Sequence, residues 1–87
     1  MKSTTIKTLR TKLDLNPHAF AAVLGVAVST VYRWESDKVG YKIDPLQNRI
    51  LVALVPKASA SLGDKIRKNL VEHGPLVALS KMLEDIL

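Results

Sequence analysis

Three times in this chain a residue suited to a helix boundary is followed directly by proline: Asn16-Pro17, Asp44-Pro45 and Gly74-Pro75. Proline is tolerated on the first turn of a helix, where its missing N–H would have no partner anyway. Asn or Asp just before it can accept from the free amides of that turn, and Gly can end the preceding helix. Each pair marks a helix start, so the chain is divided into short helical pieces.

Apolar spacing supplies the rest of the pattern. Ile6, Leu9, Leu13 and Leu15 recur at near-helical intervals, with Ser3 available as an N-cap, which predicts a first helix. The second should run from Pro17 to about Leu24 and end at Gly25, the residue that takes a positive φ without steric cost. From Val26 to Tyr32 two local rules conflict. The β-branched residues and their alternation suit a strand, while Val31, Trp34 and Glu35 fall in helical register. A lone strand would have no partner, so a third helix from Val28 to about Ser36 is expected. Residues 37–43 lack periodicity and read as a loop. A fourth helix should open at Pro45, carry Leu46, Ile50, Leu51 and Leu54, and stop at Pro56. A small-residue joint from Lys57 to Gly63 would lead to a fifth helix with Leu62, Ile66, Leu70 and Val71. A sixth would start at Pro75 and carry Leu76, Leu79, Leu83 and Ile86. The fold class is therefore all-α, with five or six helices.

Composition agrees with one folded unit: 47% of the 87 residues are apolar and 24% charged, enough to build a core without staples. The net charge of +5 is uneven. Residues 1–55 carry eight Lys or Arg against four acids, and residues 56–87 carry five against four, so the positive field belongs to the first part, as nucleic-acid binding requires. Cysteine is absent, which removes disulfides, thiolate metal sites and thiol nucleophiles and fits a reducing, cytoplasmic setting. The N-terminal residues lack the apolar run of a secretory signal, and no stretch approaches the roughly 20 residues that span a bilayer. An enzyme is not expected. His18 and His73 stand far apart without carboxylates at ligand spacing, the glycines are scattered singly, and Glu84-Asp85 reads as a solvated face, so no metal and no cofactor are anticipated.

The centre of the chain has a specific geometry. Two short helices cross steeply only where the facing residue is small, the turn accepts a left-handed backbone, and bulky apolar residues fill the space behind. Ala21 meets the first need, Gly25 the second, and Phe20, Leu24, Val26, Val31 and Trp34 the third. The run Pro17 to Trp34, with Ala, Gly and a β-branched residue at intervals of four and six, resembles the helix-turn-helix of the Cro and phage-repressor (XRE-like) class. The resemblance covers roughly residues 4–55 and implies a lambda-repressor-like helix-turn-helix domain with a C-terminal helical extension. On this reading residues 1–55 bind DNA, and residues 56–87 form a helical pair that serves dimerisation.

The resemblance also implies a pairing of Arg10 on the first helix with Glu35 at the end of the third. The chemistry concurs, because a carboxylate in a crowded place needs a partner and Arg offers a bidentate fork. A third helix in the major groove presents Val28, Ser29, Thr30, Tyr32 and Arg33 to base edges. Arg33 can bond bidentately to guanine, Ser29 can donate or accept, and Val28 can meet a thymine methyl. Phosphate contacts are expected from Asn16, Lys38, Tyr41, Lys42 and Asn48 at helix starts and in the loop. Two departures from the family stand out. Pro17 occupies the place where Gln commonly reaches a phosphate, and Ala27 replaces the usual Ser or Thr cap of the third helix. Both put the corresponding contacts in doubt.

The last helix carries Leu76, Leu79, Met82, Leu83 and Ile86, a wide apolar band that reads as a dimer interface; packing back onto the first and fourth helices of a monomer is the alternative. The expected function is that of a homodimeric repressor binding a palindromic double-stranded DNA operator in a bacterial or phage-infected cell. An antitoxin-type protein that also holds a second protein through its C-terminal helices, and a non-specific architectural DNA binder, remain open.

Overall fold

The computed structural model describes residues 2–36 and 43–87. Helix α1 spans Ser3–Lys12, α2 Pro17–Leu24, α3 Val28–Glu35, α4 Pro45–Leu54, α5 Ala60–His73 and α6 Pro75–Ile86. A 3-10 turn over Val55–Lys57 follows α4 and holds the fourth proline, Pro56. The described residues contain no strand, so the conflict over Val26–Tyr32 resolves as helix. The reason is burial at helical spacing: Val31 and Trp34 both enter the core from α3.

The helix boundaries rest on identifiable caps. Asn16 Oδ1 accepts from the Ala19 amide at 2.7 Å, and Asp44 Oδ2 accepts from the Leu46 and Gln47 amides at 3.1 and 3.4 Å. Gly25 adopts φ +73° and closes α2 with two bonds, Gly25 N to Ala22 O at 3.2 Å and Val26 N to Ala21 O at 3.0 Å. At α1 the expected cap shifts by one residue. Lys2 holds the N-cap position and makes no side-chain cap bond, while Ser3 is the first helical residue. The expected joint at 57–63 is also shorter. Ser59 caps α5 by accepting from the Leu62 amide at 3.1 Å, so the helix already includes Gly63.

Gly63 is inside α5 because of what it faces. A Cβ at that position would lie 1.6 Å from the carbonyl oxygen of Leu13, so only a residue without one lets α5 press against the end of the first helical segment. Arg67, one turn further along α5, donates to the backbone carbonyl of Asp14 and pairs with Asp64. Asp14 has φ +54°, a left-handed conformation that aspartate tolerates better than most residues, and its carboxylate lies 3.7 Å from the same guanidinium. The turn between α1 and α2 is thus clamped by α5.

A single apolar core joins all six helices. Ile6, Leu9 and Leu13 meet Phe20, Val23 and Leu24 from α2, Val31 and Trp34 from α3, and Leu51 and Leu54 from α4. Helices α5 and α6 pack on each other and on α2, and α6 also meets α4, adding Leu62, Ile66, Ala78, Met82 and Ile86 to that same core. This corrects two residues expected at a dimer interface. Met82 is 2% exposed and Ile86 9%, because they fill the chain's own interior and so offer almost no surface of their own to a second copy.

Candidate nucleic-acid interface

Helix α3 is anchored on one side and open on the other. Val31 and Trp34 point inward, and Ser29, Tyr32 and Arg33, at spacings of three and four, are exposed together on the outer side. Val28 and Thr30 are half-buried at the margins, and Val28 also packs against the core. Of the five residues expected to reach base edges, three share one open face and two flank it.

The C-terminal end of α3 is held by α1. Arg10 Nε donates to Glu35 Oε2 at 2.7 Å and Nη2 to Glu35 Oε1 at 2.9 Å, a bidentate fork, while Nη1 donates to the Leu15 carbonyl at 3.0 Å. The two side chains are only 15% and 11% exposed, so this pair is poorly screened by water. The hydrogen bonds to Glu35 raise the Arg10 pKa above its ordinary value, with burial opposing and the Glu35 charge assisting. A raised basic pKa adds stability at every pH below the ordinary arginine range, and the gain is lost only as pH rises through the folded value. The clamp therefore keeps its cationic half at any pH at which the protein works.

The opposite end of α3 lacks a side-chain cap, since Ala27 has no oxygen to offer. Asn16 is exposed at the start of α2, where its Oδ1 is committed to the helix while its amide NH₂ carries the donors a phosphate accepts. Asn48, half-buried, sits on the first turn of α4. Lys38, Tyr41 and Lys42 lie outside the described residues.

One residue was not singled out by its sequence. Gln47, on the first turn of α4, donates through Nε2 to the Leu24 carbonyl at the end of α2, 3.0 Å away. Its pattern in the sequence is that of any polar residue on a helix, and only the crossing of α4 over the turn at Gly25 reveals the bond.

Among the described residues no helix is long and apolar enough to cross a membrane, and no cluster of three or more His, Asp or Glu is placed to hold a metal ion. Residues 6–44 match the family model described as Helix-turn-helix, a span that runs from α1 to the cap of α4 and contains the whole exposed face of α3. No curated protein and no solved structure matches the chain. An all-helical fold among the described residues, a Gly25 turn between crossing helices, a second helix of the pair with its polar side open, and the family match over the same residues lead to one identification: residues 6–44 are a helix-turn-helix, similar to that with which transcription regulators of the Cro and phage-repressor (XRE-like) class bind double-stranded DNA.

Proposed function

We propose that the protein is a sequence-specific repressor that inserts α3 into the major groove of a palindromic operator as a homodimer. The observation that carries this reading is the exposed Ser29, Tyr32 and Arg33 face on a helix whose other side and C-terminal end are fixed. A rigid, single-sided helix is what base readout needs, because a mobile one would spend binding energy on ordering. Arg33 would donate to guanine O6 and N7, Ser29 would bond a neighbouring base edge, and Val28, at the helix start, would meet a thymine methyl. Tyr32 and Thr30 would complete the contacts, and Asn16 and Asn48 would take phosphates on either side.

Dimerisation through the outer side of α6 is part of the proposal. With Met82 and Ile86 turned inward, the surface left for a second copy consists of Leu76, 79% exposed, and Leu87, 81% exposed, with Val77 and the half-buried Leu79 and Leu83 between them. Val71, at the end of α5, adds a further exposed apolar side chain. A two-fold pairing would set two α3 helices about 34 Å apart, one DNA turn. The same apolar side favours a second reading, an antitoxin-type regulator that holds a different protein there.

Selection of bound sequences from a random DNA pool tests the proposal. A symmetric consensus with half-sites one turn apart supports a dimeric specific binder. A pool that stays random, with affinity set by salt alone, would reduce the protein to an architectural binder. Isolation of the protein from its native cell with a stoichiometric second chain on the α6 side would favour the antitoxin reading.

A further inference from the structure

The carbonyls at the end of α2 have no further helix to accept from. Ala21 O is taken by the Val26 amide and Ala22 O by the Gly25 amide, both supplied by the turn itself. Leu24 O is taken by a side chain 23 residues away, Gln47 Nε2, at 3.0 Å in a partly buried setting. The other end of the same amide is left unmatched: Gln47 Oε1 is buried and has no hydrogen-bond partner among the described residues. A residue present only to fill space would do better as an apolar side chain of the same length, since an unpaired buried acceptor is unfavourable. What an amide provides here, and an apolar chain cannot, is the one directional bond to Leu24.

That bond has leverage because of where α4 is otherwise held. Beyond its continuation into the 3-10 turn, α4 packs among the described helices chiefly against α6, and its backbone approaches neither α2 nor α3 as closely. Its first turn is fixed internally, with Asp44 capping the Gln47 amide, so a displacement of Gln47 carries Asn48 with it. Phosphate contacts from the start of α4 and base contacts from α3 must be made to one duplex at once, and their relative placement sets how many can form together.

We propose that Gln47 is a positioning residue of the DNA interface: its amide bond to the Leu24 carbonyl keeps the start of α4, and Asn48 with it, in register with α3. The proposal rests on the reading of α3 as the groove-binding helix and adds to it a residue that itself need not touch DNA.

The test uses the full chain and the operator obtained by selection, with Gln47→Met and Gln47→Glu beside the wild type. Gln47→Met should keep a melting temperature within a few degrees, because losing the bond is offset by removing the unpaired acceptor. Its operator affinity should nonetheless fall about tenfold, the scale of one hydrogen bond to a charged group. Its salt slope should stay close to that of the wild type, because Asn48 is neutral and its contact with a phosphate releases no counterion. Gln47→Glu should bind worse still near neutral pH, where a carboxylate faces the Leu24 carbonyl. It should recover relative to wild type at the same pH as the acid protonates, at or above the ordinary glutamate value of about 4.3, since a protonated acid can donate as the amide does. Wild-type affinity in Gln47→Met would overturn the proposal, as would a Gln47→Glu profile parallel to wild type at every pH. If Gln47→Met does not fold, the pH profile of Gln47→Glu decides. Failure of the underlying reading looks different: the wild type would select no operator, or Arg33→Ala would bind the operator as the wild type does.

Discussion

Arg33 is the residue whose role is most sharply testable, because an exposed guanidinium on α3 can serve either a base or a phosphate. A bidentate contact to guanine predicts that Arg33→Ala costs about 1 to 3 kcal/mol at one symmetric position of each half-site, read by repeating the selection with the variant. A uniform loss over all sequences would assign it to the backbone instead. Arg10 and Glu35 are a structural matter. Glu35→Leu strands a guanidinium that is 15% exposed, so urea unfolding should show a loss of about 3 kcal/mol, the lower end for breaking one side of a buried pair. Adding Arg10→Met should restore much of it, because an apolar pair no longer leaves a charge without its partner. The resemblance to the helix-turn-helix class made Arg10 and Glu35 candidates. The desolvation that gives their pairing its energy comes from α1 lying across the end of α3.

At the scale of the helix, two positions show opposite outcomes for a single added group. Ala27 occupies the N-cap of α3 with extended backbone angles, φ −70° and ψ 148°, exposed and without a side-chain acceptor. Ala27→Ser should stabilise the protein by about 1 kcal/mol in thermal or urea unfolding, the usual value of a new cap; no gain would mean that the first amides of α3 already have partners. Gly63 lies within α5, where alanine would gain about 1 kcal/mol of helix propensity on an isolated helix. Here the clash with Leu13 O decides the sign, and Gly63→Ala should destabilise by about 3 kcal/mol or more, at the upper end of overpacking costs. A neutral Gly63→Ala would show that α5 can lift away from the α1–α2 turn without loss. The helices themselves were legible because Asn16, Asp44, Pro17, Pro45 and Gly25 act through their own and adjacent backbone. Gly63 was misplaced in a joint because its smallness serves a distant carbonyl, which local pattern cannot register.

For the molecule as a whole, the question is which apolar surface stays uncovered. The last helix reads in sequence as apolar over a wide band, and the fold divides that band: Ala78, Met82 and Ile86 go into the common core, while Leu76 and Leu87 remain outside. Under the proposed dimer, Leu76→Glu combined with Leu87→Glu should leave the melting temperature of the monomer nearly unchanged. Sedimentation should shift toward a single copy, and operator binding should lose its cooperativity. A variant that sediments as the wild type does would remove the α6 surface from the interface. The shared core also bears on the expected division at residue 55, since α5 and α6 supply part of the floor beneath α2 and the clamp on the turn before it.

The amino-acid order alone determined where most of the helices begin and end, the start of α5 excepted, and which of them form the crossing pair, because caps, prolines, a positive-φ glycine and apolar spacing act over four or five residues. Tertiary structure decided which apolar residues are hidden, why a helical glycine is indispensable, and that Gln47 reaches Leu24, because each of these depends on a neighbour 23 to 50 residues away in the chain. Contacts of that range are made by packing whole helices, and no local pattern encodes the packing.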